Sequence, residues 1–265
     1  MADPWALYDQ MIGEIPEDVL VREVVVGAHH CYVDAECGCG VAALDRGGVR
    51  ARLDPGWAGR PLRELAACAR SWGFEVASVG VAALNAWHNR REAVERLGIV
   101  AEGADADPFG RLVPVVARMA AKKDDGSRPR VVVVGHFPRL GALAAHAEVL
   151  VLERAARADD DLPDTACEYV LPGADVALMT GMTLANKTAP RLLELARRPL
   201  CCVVGPSATL SARVLDAGAD LIAGSLVADR ELARSSVAAG GSPRAAGALE
   251  HVLVAGPRGR EALAR

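Results

Sequence analysis

The stretch Arg130-Val131-Val132-Val133-Val134-Gly135-His136-Phe137-Pro138 decides the fold. Four consecutive valines are not the alternation of a strand with one wet face. They suit a strand buried on both faces, as in a parallel sheet covered by helices. Comparable apolar runs recur at Val149 to Leu152, Val176 to Met179, Leu200 to Val204 and Leu221 to Ala223, with helical or irregular segments between them. This alternation predicts a doubly wound parallel α/β sheet with right-handed crossovers. A last short run, Val252 to Val254, is expected to add an edge strand.

Such sheets bind ligands beyond the carboxyl ends of their strands, where the strand order reverses. The five runs are followed by Gly135-His136, by Glu153-Arg154, by Thr180-Gly181-Met182-Thr183 with Asn186-Lys187-Thr188, by Gly205-Pro206-Ser207 and by Gly224-Ser225. Glycine and serine also turn a chain for their own reasons. Five such ends in register nevertheless point to one ligand-facing rim.

Glu153 lies 18 residues beyond Gly135, the placement of the acid that holds a ribose hydroxyl in dinucleotide folds. The glycine fingerprint is missing, and Phe137 and Pro138 would crowd a pyrophosphate. A smaller ligand, or one of nucleoside type, fits better. His136 is the candidate catalytic residue for proton transfer, because imidazole titrates near neutrality; the alternative is a histidine that caps the turn. Lys187 either holds a carboxylate or phosphate or belongs to a helix start, with Thr188 as cap ahead of Pro190. Asp164, Glu168 and Tyr169 are spaced for one helical face that either reaches the rim or is solvated.

Outward toward the amino terminus the pattern changes. Asp3-Pro4 opens a helix carrying Trp5, Tyr8, Met11, Ile12 and Ile15. Val21 to Val26, His30 to Val33 and Val41 to Leu44 read as an antiparallel meander, and helices follow from Pro61 to about Trp72 and from Val76 to Trp87. Strands followed by helices make an α+β unit, so the expected division is residues 1–105 and 106–265. Ala101 to Pro108 reads as the start of the link. Asp107-Pro108 begins a helix that Pro114 should kink or shorten, and Lys122 to Pro129 reads as an exposed loop.

The segment His29-His30-Cys31, followed by Cys37-Gly38-Cys39, could supply soft-metal ligands. Its spacing matches no zinc knuckle, and His29, Cys31, Cys37 and Cys39 share a face only if the turn preserves register. Buried thiols are the competing reading. Seven cysteines, an odd number, in a chain whose start lacks the basic and apolar pattern of a signal peptide predict reduced thiols and a cytoplasmic protein. The net charge of −4 and the scattered basic residues argue against nucleic acid and anionic membranes as partners. No apolar run approaches transmembrane length.

Several motifs together carry a family resemblance. They include Val134-Gly135-His136-Phe137-Pro138, Glu153-Arg154, Leu162-Pro163-Asp164 through Glu168-Tyr169-Val170-Leu171-Pro172 and Ala174-Asp175-Val176. Thr180-Gly181 with Thr183-Leu184, Asn186-Lys187-Thr188, Leu192 to Ala196, Gly205-Pro206-Ser207 and Ala223-Gly224 with Val227 and Asp229 continue them in order. Ile12-Gly13 with Ile15-Pro16, Gly38 to Ala43 and Ala82-Ala83-Leu84-Asn85-Ala86 extend the likeness into the first unit. The chain resembles the putative heavy-metal chelation family. That resemblance implies an α/β protein with an N-terminal α+β domain, enolase N-terminal-like, packed on a C-terminal Rossmann-like domain. It also implies a site between the two and a link to metal handling or metallophore chemistry. Cys37-Gly38-Cys39 and Trp87-His88 depart from the family pattern.

The resulting expectation is a small-molecule-binding protein or enzyme whose site collects Gly135, His136, Glu153, Thr180, Thr183, Asn186, Lys187, Gly205, Pro206 and Ser207. Asn85 joins from the first unit because it closes a helix where an amide could reach across. A divalent transition metal and a nucleoside-type molecule are the cofactor classes considered, and a homodimer is the commonest assembly for such proteins. The rival readings are a metal-binding or metallochaperone protein using His30, Cys31, Cys37 and Cys39, or His136 with acids, and a non-catalytic scaffold subunit.

Overall fold

The computed structural model describes residues 3–123, 126–138 and 140–265. Asp124 and Asp125, inside the expected loop Lys122 to Pro129, lie outside the described residues. The first unit begins with the helix Ala6–Gly13 and continues with β1 (Val21–Val26), β2 (His30–Ala35) and β3 (Gly38–Ala43). These strands form the antiparallel meander in the order β1-β2-β3. The long helix Phe74–His88 lies on one face of it. The approach is so close that a Cβ at Gly40 would sit 2.0 Å from the carbonyl oxygen of Ala82, so only glycine fits there.

The second unit is an eight-stranded sheet. Its members are β4 (Ile99–Glu102), β5 (Arg130–Val134), β6 (Glu148–Glu153), β7 (Leu162–Pro163), β8 (Val176–Thr180), β9 (Leu200–Val204), β10 (Leu221–Val227) and β11 (Leu249–Ala255). They lie in the order β4-β11-β10-β9-β8-β5-β6-β7, parallel from β10 to β7 and antiparallel at β11 and β4. The valine run behaves as its composition demands. Val132 and Val134 join one hydrophobic core, and Val131 and Val133 join another on the opposite face with Leu112, Val116 and Leu143. The first of these cores is continuous with the first unit through Tyr8, Met11 and Leu84.

Three local expectations change. Val252 to Val254 falls within β11, which is not an edge strand, because β4 pairs outside it. That strand arises from a segment read partly as a link, and its four residues carry too little pattern to announce it. The helix Pro108–Ala121 runs on through Pro114, capped by the Asp107 carboxylate on the amides of Phe109 and Gly110. Burial of Leu112, Val115 and Val116 outweighs the missing amide hydrogen bond at Pro114. Among the described residues no helix is long and apolar enough to cross a membrane.

Candidate functional site

The chain leaves β5 on one side to form β6 and returns on the other to form β8. The strand order therefore reverses at β5, and the crevice expected there is present. It is a cleft of about 740 Å³, within the usual range for small-molecule sites. Its floor is built from the ends of three strands: Val134, Gly135 and His136 after β5, Leu152 and Glu153 on β6, and Thr180 with Met182 and Thr183 after β8. Asn186, Lys187 and Thr188 close one wall, and Ala28, His29, Leu44, Asp45 and Arg46 of the first unit close another. Gly135 adopts φ +94°, and a Cβ there would also come within 3.0 Å of the Thr180 side chain, so the turn after β5 depends on glycine.

Lys187 is held in an unusual way. Asn186 Oδ1 accepts hydrogen bonds from the Thr188 amide at 3.2 Å and the Thr188 hydroxyl at 2.7 Å. This tight turn places Lys187 at φ +71°, the one non-glycine residue with positive φ among those described. Backbone of that kind costs of order 1 kcal/mol and clusters at functional sites. The ammonium donates to the Ala185 carbonyl and lies 5.8 Å from the ring centres of both Tyr8 and Phe74. Burial pushes its pKa down to about 8, and Asp45 opposes that shift only in part.

The cleft is rich in positive charge. Arg154 pairs with Asp164 at 3.2 Å, Arg157 with Glu153 at 3.9 Å, and Arg191 with Glu168 at 2.6 Å. Arg46 donates to the carbonyls of Gly27 and Ala28, and Lys187 to that of Ala185. Among the described residues neither cation has a carboxylate within 4.0 Å. The Thr183 hydroxyl donates to the Thr180 carbonyl at 2.7 Å, while Thr180 Oγ1 accepts from the Met182 amide at 3.3 Å, so both threonines shape the loop. His136 is exposed at the tip of β5.

The structure thus brings Gly135, His136, Glu153, Thr180, Thr183, Asn186 and Lys187 together, but it does not form one rim from all five strands. Asn85, Gly205, Pro206 and Ser207 lie outside the cleft. Asn85 is 1% exposed and fully used: its amide donates to the carbonyls of Val41 and Pro206, and its oxygen accepts from the Thr209 hydroxyl at 2.7 Å. Ser207, 2% exposed, accepts from the Ala43 amide at 2.8 Å. Asn89, one turn beyond Asn85, grips the carbonyls of Ala208 and Ser225 and the Leu210 amide. The end of the helix Phe74–His88 is therefore bolted onto the strand ends after β9. That joint divides the rim, and Gly205 and Pro206 face a separate hollow. Arg46, Asp45 and His29 were missed as cleft residues because charged loop residues carry no periodic signal.

The cysteine cluster does not assemble. Cys31 packs into the main core while Cys39 faces the opposite side of the meander with Tyr32 and Val41. The Cys39 thiol lies 3.1 Å from the Tyr32 hydroxyl and 3.3 Å from Asp34 Oδ1. Cys37 donates to the Ala86 carbonyl. Burial pushes the thiol of Cys31 up to about 12 and that of Cys39 up to about 11, so neither is a ready thiolate. Among the described residues no three His, Cys, Asp or Glu side chains come together as a metal ion would require. The donor set therefore does not fit a resident metal.

Comparison with known proteins agrees with this architecture. Two family models, both described as putative heavy-metal chelation, match residues 110–250 and 8–88. The crystal structure of a DUF364 family protein of unknown function from Desulfitobacterium hafniense is similar at TM-score 0.81 and 30% identity, over 96% of this chain and 98% of that one. A DUF364 family protein of unknown function from Pyrococcus horikoshii is similar in fold at TM-score 0.75 and 19% identity, over 96% of this chain and all of that one. No curated protein matches the chain.

Proposed function

This chain belongs to the DUF364 family, described as putative heavy-metal chelation, and from that premise we propose that its cleft binds a small organic anion rather than a bare metal ion. The observation that carries the reading is Lys187: a half-buried amine on strained backbone, in the same cleft as Arg46, with no carboxylate within 4.0 Å of either cation among the described residues. An ammonium in such surroundings gains most from a carboxylate or phosphate brought by a ligand. The Gly135 turn, Thr180 and Glu153 supply backbone and acceptor groups for the remainder of the molecule. His136, at the tip of β5, is placed to exchange a proton with it. A link to metals then arises through the ligand. A polycarboxylate or similar chelator carries its own donor atoms, and the protein need supply only cations and shape.

The test is calorimetric titration with citrate, a polycarboxylate that also chelates metals, on the wild type and on Lys187→Ala and His136→Ala. Lys187→Ala should lower affinity at least about tenfold, the cost of one charged hydrogen bond. His136→Ala should lower it less. Unchanged affinity in both variants, or no heat with the wild type at millimolar citrate, defeats the assignment.

A further inference from the structure

The hollow on the other side of the dividing joint has its own chemistry. It measures about 320 Å³ and lies where β9 ends beside the middle of β10, against the start of the helix Pro108–Ala121. Phe109, Val204, Pro206 and Ala223 give it apolar walls. After β9 the chain turns at Gly205 with φ +112°, and a Cβ there would meet no atom within 4 Å, so the strand end is uncovered.

Two polar side chains are set into this hollow by sheet register. Ser225 on β10 and His251 on β11 are direct partners in the antiparallel ladder, so both project from the same face. Ser225 Oγ lies 3.1 Å from His251 Nδ1. The arrangement that uses the hydroxyl proton has Ser225 donating to Nδ1, which places the imidazole proton on Nε2. Burial, then neighbouring Arg244, push His251 below the ordinary histidine range, against a smaller opposing effect of Asp107, which favours the neutral ring. The Ser225 carbonyl is anchored by Asn89 at 3.1 Å, which fixes the pair relative to the joint.

Charge separates this hollow from the cleft. Asp107 and Arg244 both line it and have opposite signs. The Asp107 carboxylate also remains on the helix amides it caps. With both signs on its wall the hollow lacks the cleft's excess of cations, and a neutral polar molecule can pair with His251 and Ser225 without burying a charge of its own. We propose that the hollow is a second, independent ligand site for a flat, uncharged nitrogen heterocycle of nucleobase size, held by His251 Nε2 as donor and by the apolar wall of Phe109, Val204 and Pro206. The site does not depend on the anion reading of the cleft.

The experiment is calorimetric titration of the full chain with adenine, hypoxanthine and uracil at pH 7.5. At least one base should bind the wild type more tightly than about 1 mM. His251→Phe should weaken that binding at least about tenfold. Ala104→Trp, at an exposed wall position, should do the same without moving the thermal midpoint, and it decides the matter if His251→Phe does not fold. Lys187→Ala should bind the base like the wild type. No base binding to the wild type overturns the proposal. So does binding that survives Ala104→Trp undiminished, or binding that Lys187→Ala abolishes.

Discussion

The cleft at the ends of β5, β6 and β8 collects Lys187 and four arginines, and among the described residues two of these five cations have no carboxylate within 4.0 Å. The hollow at the end of β9 has Arg244 and Asp107 on its wall beside the hydrogen-bonded Ser225–His251 pair. Both openings lie on one edge of one sheet. What divides them is the end of the helix Phe74–His88, with Asn85 and Asn89 inserted into residues 206–210. A doubly wound sheet offers a line of strand ends. The partner unit decides how that line is cut into sites and which charges each piece receives.

The strongest way to break this comparison is to remove the divider. Asn85→Ala leaves the Val41 and Pro206 carbonyls and the Thr209 hydroxyl without their buried partner. At roughly 1 kcal/mol for each lost hydrogen bond, stability should fall by about 3 kcal/mol. Urea unfolding followed by circular dichroism measures it, and a loss below about 1 kcal/mol would show that the joint is not held by this amide. Ligand binding at both openings should weaken together in that variant, whereas Lys187→Ala touches the cleft alone.

Lys187→Gly sharpens the contrast from the other direction. Glycine accepts φ +71° without strain and removes a desolvated ammonium, so stability should rise by about 1 kcal/mol while citrate affinity falls about tenfold. A variant that loses both stability and affinity would mark Lys187 as a structural residue.

The pH dependence follows from the same side chain. With its pKa near 8 in the folded protein against an ordinary value of 10.5, Lys187 is an ammonium at pH 7 and largely an amine by pH 9. Citrate affinity should be greatest near pH 7, where citrate is fully ionised and Lys187 is charged, and fall as pH rises through 8 to 9. For folding, the unfolded chain binds the proton more tightly, so this group's unfavourable contribution is fully present below pH 8 and is relieved between pH 8 and 10.5. Affinity in Lys187→Ala should lack this fall; an identical profile in the variant would assign it to another group.

The smallest effect concerns the thiols. Cys31 and Cys39, raised by burial, should resist a thiol reagent at pH 7.5 until the chain unfolds, and cadmium should produce no thiolate absorption in the native protein. Rapid native-state labelling of either cysteine would reopen a metal role for the meander.

The sheet was legible because double burial leaves a continuous apolar run, as at Val131 to Val134, and because such runs repeat. The strand-end residues Gly135, Glu153, Thr180 and Lys187 were legible for the same reason, since the end of a run marks where a rim must be. Other features lacked a local signal. Ile99 to Glu102 is too short to declare itself a strand, and Pro114 obscured a helix that packing sustains. Ser207 and Asn85 looked like rim residues because a buried hydrogen-bonded joint and a binding site draw on the same residue types, while Gly205 and Pro206 line the hollow and not the cleft. Arg46 and His29 enter the cleft only through the docking of the two units, which no linear pattern records. The apparent metal cluster failed on parity: register places Cys31 opposite Ala42 and Cys39 opposite Asp34, on different faces of one sheet.

Soaking crystals in selenate puts the anion reading to its most direct trial, since selenate stands in for a carboxylate or phosphate and is located by its anomalous signal. The leading peak should lie between the ends of β5 and β8, about 3 Å from Lys187 Nζ, and vanish in Lys187→Ala. Selenate found only on exterior arginines, with the cleft bare at saturating concentration, would contradict it.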